Sequence, residues 1–270
     1  MEKKEVLRMV STVGGLVFLS GVFLYAVLSI GMLGRYAVSE PAWYALPVSA
    51  DDQTEGTDGT DGTEGTKGAA RTPLVIIDPG HGGEDGGAVS ASGVTEKTLN
   101  LSLSLCLCDM LRASGVPVCM TRTTDTGLYE GAEKGHRKMA DLRNRLLLRN
   151  EYPDAVFLSV HMNTFGTERY HGMQIFYSPN EESSAVLADI IRETNRTYLQ
   201  PDNARETKKA GSDIFLLDRA KGTAVLAECG FLSNPEEAAR LSKPEYREKA
   251  AAVLCASVLA FLKENEANAQ

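Results

Sequence analysis

The chain has 270 residues, 43% of them hydrophobic, which allows one sizeable domain or two small ones. Its net charge of −8 and pI near 5.2 exclude the basic face that a nucleic-acid partner demands, so no such partner is expected. Cys106, Cys108, Cys119 and Cys255 lie in apolar runs, and the total of five is odd, which reads as buried free thiols rather than a disulfide framework.

Residues 1–8 carry Lys3, Lys4 and Arg8 ahead of an uncharged apolar run at 9–33. Roughly 20 apolar residues cross a hydrocarbon core, so this run is long enough to be a transmembrane anchor. The basic residues before it predict a cytoplasmic N-terminus and an exported remainder. A cleaved signal peptide is the competing reading. Against it, the run exceeds the usual h-region of about 7–15 residues, and no clean A-x-A site follows closely. Residues 34–72 read as a flexible, acidic Gly/Thr-rich linker. Its stretch TEGTDGTDGTEGTKG (54–68) has no apolar residue to offset the entropy of ordering.

Residues 73–265 form the predicted catalytic domain. LVIID (74–78) runs into Pro-Gly and reads as a buried strand. LNLSLSLCLCDMLRASG (99–115) has leucines at alternate positions, yet its length, its lack of β-branched residues and Gly115 predict a helix. VPVCMT (116–121), AVFLSV (155–160), MQIFY (173–177), IFLL (214–217) and TAVLAE (223–228) read as strands. Helices are predicted at 139–150, 183–199, near 235–241 and across 245–263. Strands separated by such helices predict an α/β domain whose mostly parallel sheet is covered on both faces.

The unusual polar residues fall at the ends of these strands. His81 follows the first strand in DPGHGGEDGGA (78–88), His161 ends another in SVHMN (159–163), and Glu228 ends the last in AECGFLSN (227–234). Open α/β sheets bind ligands at the carboxyl ends of strands, so these residues can converge. Glu96 opens the first long helix at the same edge. Two histidines and a carboxylate are the ligand set of a catalytic zinc that keeps a position for water. A second carboxylate nearby suits a general base. Singly, each is weak: a strand histidine is more often a hydrogen-bonded polar residue, and Glu96 could be a favourable first-turn charge. DPGHGGEDGG could also be a phosphate loop, but it lacks both G-K-[ST] and the G-x-G-x-x-G spacing.

DPGHGGEDGGA, the following EK with NLSLSL, MTR (120–122), FLSVHMN and AECGFLSNPEE resemble the zinc amidases of the N-acetylmuramoyl-L-alanine amidase type 3 family, in order from Leu74 to Leu262. The resemblance implies zinc bound by His81, Glu96 and His161, with Glu228 as the catalytic glutamate. It implies hydrolysis of the amide between the lactyl group of N-acetylmuramic acid and L-alanine in peptidoglycan. Ala227 stands where valine is commoner, a small departure. The segment TRTTDTGLYEGAEKGHRKMADLRNR (121–145) is similar to that of germination-specific amidases of endospore formers. That likeness implies muramic-δ-lactam formation in spore cortex, alongside a cortex deacetylase and an activating lipoprotein. The alternatives are a vegetative wall amidase, a zinc peptidase (although no H-E-x-x-H is present) and an inactive wall-binding module.

Several other residues carry expectations. Arg122 would hold a substrate carboxylate or lactyl group, or else form a buried ion pair. Asp78 and Asn163 would orient the ligand histidines. His136 and His171 would be solvated, and Cys229 would point away from the face that carries Glu228.

Overall fold

The computed structural model describes residues 73–268. The expected span at 9–33 and the linker at 34–72 lie outside the described residues. Among the described residues, no helix is long and apolar enough to cross a membrane.

Six strands form one sheet: β1 (Val75–Pro79), β2 (Val118–Met120), β3 (Val156–Asn163), β4 (Gln174–Tyr177), β5 (Lys208–Lys209) and β6 (Ala224–Phe231). Their order is β2-β1-β3-β6-β4-β5. The sheet is mixed, because β4 runs antiparallel to β6 while every other pairing is parallel. The outermost β5 is two exposed lysines, a short charged edge that discourages pairing with another chain.

Helices cover both faces. α1 (Glu96–Ala113), α3 (Glu182–Tyr198) and α6 (Pro244–Asn268) pack on one, with the larger apolar cluster. α2 (Arg137–Glu151) and α4 (Phe215–Arg219) cover the other, and α5 (Pro235–Leu241) follows β6. The alternating leucines of α1 are compatible with a helix because every second one falls four residues on. Leu99, Leu103, Leu107 and Leu111 share one face and are at most 3% exposed, while Leu101 and Leu105 are only half-buried. Each full burial of this kind contributes about 1.5–3 kcal/mol.

The expected strand IFLL is a helix. Ile214 caps α4, and the Asp218 amide donates to the Ile214 carbonyl at 3.0 Å. A four-residue apolar run carries no periodicity that separates strand from helix, and here Leu216 and Leu217 fill the sheet's second face. β3 and β6 also run past the residues expected to end them, with an irregularity between His161 and Asn163. Such bulges re-aim side chains at strand ends.

Candidate active site

The loop after β1 is shaped by what its backbone must admit. His81 has φ 62°, making it the one non-glycine in the left-handed region among the described residues. A Cβ on Gly80 would run into the His161 imidazole. At Gly87, with φ +66°, a Cβ would lie 2.5 Å from Glu96 Oε2. The glycines of DPGHGGEDGG therefore let two imidazoles and a carboxylate close up on each other. The two rings sit edge to face with centroids 5.0 Å apart.

Glu96, at the first position of α1, lies between them. Its Oε2 is 3.1 Å from His81 Nε2 and accepts the Ala88 amide at 2.8 Å. Its Oε1 is 2.9 Å from His161 Nδ1 and accepts from the Met162 amide and Asn100 Nδ2. Burial would raise the Glu96 pKa, but His161 and His81 outweigh it and hold the carboxyl far below its usual range. Burial would likewise lower the His81 pKa, yet Glu96 and Asp85 lift it to about 8. One ligand atom from each of His81, Glu96 and His161 lies within 4.8 Å of the others, so the three could hold a metal ion.

Glu228 stands opposite His161 in the β3–β6 register and opposite Gln174 across β4, which sets all three on one face. The side chain keeps some exposed surface, but its Oε2 is enclosed and accepts no hydrogen bond. Burial, helped by the Glu96 charge and opposed by His161 and His81, pushes its pKa up to about 7. Two carboxylates at one site are thus driven in opposite directions.

The other expectations divide. Cys229 points into the opposite, apolar cluster, away from Glu228. His136 and His171 are exposed. Arg122 is buried but pairs with no acid; its guanidinium donates to the carbonyls of Pro79, Gly80, Lys97 and Thr124. It staples the loop through these backbone oxygens and forms no buried ion pair among the described residues. Asp78 makes no hydrogen bond to His81 or His161. It accepts from Arg145 at 2.5 Å, Thr121 at 2.6 Å and Ser159 at 2.7 Å. Asn163 contributes its backbone carbonyl to the Leu232 amide, and among the described residues its side chain makes no hydrogen bond to His81 or His161.

Two important residues escaped the sequence reading. Asp85 lies 2.9 Å from His81 Nδ1 and fixes that ring with Nε2 toward Glu96. An acid four residues after the histidine was the available signal. Arg145, 1% exposed, reaches from α2 to Asp78, to Asp141, and to the carbonyls of Pro79 and His81. Its signal was an arginine three residues after Leu142, on the helix's buried stripe.

Residues 75–260 match a family model described as N-acetylmuramoyl-L-alanine amidase. The chain belongs to the N-acetylmuramoyl-L-alanine amidase family. It is 35% identical to the germination-specific N-acetylmuramoyl-L-alanine amidase of Bacillus subtilis over 193 residues, 71% of this chain and 80% of that one. Among solved structures it resembles the CwlD amidase of Clostridioides difficile, determined in complex with the GerS lipoprotein. That likeness has a TM-score of 0.68 and 33% identity, and covers 71% of this chain and 99% of that one. The amidase AmiC2 of Nostoc punctiforme gives a TM-score of 0.61 at 26% identity, over 72% and 99% of the two chains. As a member of this amidase family, the chain is an enzyme that hydrolyses the N-acetylmuramoyl–L-alanine bond of peptidoglycan.

Proposed function

We propose that the amidase works with one zinc ion held by His81, Glu96 and His161, and that Glu228 carries the proton. The observation behind this reading is three ligand atoms converging within 4.8 Å, beside an enclosed carboxylate oxygen that accepts no hydrogen bond. The donor set fits: two imidazoles and one carboxylate are typical of zinc hydrolases that keep an open position. Asp85 on His81 Nδ1 supplies the outer carboxylate that such histidines usually have. Bound there, zinc supplies Lewis-acid polarisation of the scissile carbonyl and acidifies water toward a pKa of about 7.

With its enclosed Oε2 free of any hydrogen bond, Glu228 is placed to take a proton and return it. Oε2 accepts a proton as a water oxygen bonds to the lactyl carbonyl carbon. The C–N bond then breaks, and the same proton passes to the L-alanine nitrogen. The products are a free lactyl carboxyl and a peptide with a free amine. Glu96 cannot share this task, because its hydrogen bonds and the two histidines keep it ionised.

The biological setting of this reading is spore cortex, where the cleavage precedes muramic-δ-lactam formation by a deacetylase. The likeness to a germination-specific amidase supports it, and the lipoprotein-bound relative supports an activating lipoprotein here as well. The apolar run at 9–33, with Lys3, Lys4 and Arg8 before it, supports a membrane anchor that leaves the domain exported. Digestion of purified cortex and of vegetative peptidoglycan by the full-length chain, read by mass spectrometry, tests the setting. Peptides with free L-alanine amines should be released faster from cortex; equal release favours a general wall amidase. Zinc analysis tests the centre, with about one ion per chain expected and a sharp fall in His161→Ala. Full occupancy in that variant overturns the ligand assignment.

A further inference from the structure

The row of side chains that holds His161 and Glu228 continues beyond them. Gln174 faces Glu228 across β4, and its Oε1 lies 3.5 Å from an Arg205 Nη. Its Nε2 donates to the carbonyl of Glu206, on the segment that leads into β5. His161, Glu228, Gln174 and Arg205 therefore form a line across β3, β6, β4 and the approach to β5. At about 4.8 Å between strands, Arg205 stands about 10 Å from Glu228.

Arg205 is half-buried in an aromatic cradle. Its guanidinium lies 4.5 Å from the centre of the Phe231 ring and 5.8 Å from that of Tyr170, and its Nε donates to the His171 carbonyl. Arg169 approaches the same Tyr170 ring at 4.9 Å and donates to its hydroxyl. Phe165, 57% exposed, sets its ring edge to face with Tyr170 at 4.7 Å. The hydrogen bonds of both guanidinium groups end on uncharged oxygens. Among the described residues, neither arginine comes within ion-pair distance of an acid, and the Glu237 carboxylate acts on Arg205 only from farther off. A guanidinium fixed against aromatic rings, with no carboxylate in contact with it and its hydrogen bonds ending on neutral oxygens, is suited to receive a carboxylate.

We infer that Arg205, with Arg169 at the rim, binds the first free carboxylate of the stem peptide beyond the L-alanine whose amide is cut. The inference rests on the placement of that amide at Glu228. An extended peptide advances about 3.3–3.6 Å per residue, so L-alanine and the α-branch of the next residue, with a hydrogen bond of about 3 Å at each end, span the distance from Glu228 to Arg205. The aromatic walls shield one side of the pair from water and so strengthen it. The amidase thereby distinguishes stems with a free carboxylate from stems carrying a carboxamide at that position.

Isothermal calorimetry of the full-length chain with two synthetic peptides tests this. One is L-Ala-γ-D-Glu-L-Lys with an amidated C-terminus; the other carries a carboxamide in place of the glutamate α-carboxylate. The acid form should bind about tenfold more tightly, the scale of one charge-assisted pair. Arg205→Gln should bind both at the weaker affinity, and Arg205→Lys should restore part of the difference. Equal affinity of the wild-type chain for both peptides, or an undiminished preference in Arg205→Gln, overturns the proposal. The wild-type comparison needs no variant, so a misfolded Arg205→Gln leaves the test intact. Binding also needs no turnover, so a failure of the Glu228 assignment would show separately, in the rate.

Discussion

The two faces of the sheet are filled by different chemistry. Under α1, α3 and α6 lies a continuous apolar cluster running from Val75 to Leu262. Under α2 and α4 the apolar cluster is smaller, and toward the strand ends it gives way to charge, with Asp78, Arg145 and Arg149 each at most 1% exposed. Apolar contact is non-directional, so the first face can hold the fold together without fixing any one atom. Arg145 instead touches Asp78 and the Pro79 and His81 carbonyls at fixed geometry, and so it fixes the loop that bears His81. Both faces contribute stability; only the charged one also supplies placement.

The largest effect that separates the faces belongs to Glu228, on the charged one. Glu228→Gln keeps the side chain's size but removes the base, so turnover should fall by roughly 10²–10⁴. Zinc content and melting temperature should stay near wild type in the same preparation. Near-normal turnover with zinc in place would remove Glu228 from the chemistry.

Next comes a pair of variants, one on each face. Arg145→Met leaves Asp78 buried without its partner, at a cost of about 3–5 kcal/mol. It should also slow the folded enzyme, because the His81 loop loses its tether. Leu103→Ala opens a cavity under the apolar face at a cost of about 2–5 kcal/mol, while kcat of the folded protein stays unchanged. Urea unfolding together with the rate per folded molecule checks both. If both variants lose stability and keep their rate, the division of labour between the faces is wrong.

This division also explains what the sequence disclosed. Apolar periodicity is a local property, so most strands and helices were legible, and the leucines of α1 needed only the choice of period. The convergence of His81, Glu96 and His161 was legible because histidines are few and two of them fall at strand ends, beside a helix that opens on an acid. Asp85, Arg145 and Gln174 were not, because an acid, a helical arginine and a strand glutamine are ordinary until the fold sets them against a histidine, a buried aspartate and Glu228. The carbonyl partners of Arg122 were hidden for the same reason: they are backbone atoms, which a sequence does not advertise. IFLL failed for want of length, four apolar residues being as compatible with α4 as with a strand.

The smallest effect sharpens the comparison on the charged face alone, and it is a matter of pH. Burial would raise the Asp78 pKa, but the Arg145 guanidinium and the Thr121 and Ser159 hydroxyls override it and hold the carboxyl below its ordinary value. The folded pKa therefore lies under the unfolded one, which is about 3.9. Above that value the pairing contributes fully to stability. As pH falls from about 4 toward the folded pKa, the unfolded chain takes up the proton first and the contribution is lost. Glu96, Asp85 and Asp125 are shifted in the same direction, while Asp109 and Glu228 are shifted upward, so the acid limb is the sum of opposing groups. Asp78→Asn retains all of these and leaves Arg145 on Asp141, so the difference between its curve and that of the wild type isolates one proton. Urea unfolding between pH 3 and 6 should show the wild type losing stability faster on acidification, by at most about 1.4 kcal/mol per pH unit. If desolvation won instead, the wild type would lose less than Asp78→Asn as the pH fell. In that case Arg145 would not be the partner that holds Asp78 ionised, and the charged face would place its loop by hydrogen bonding to carbonyls alone.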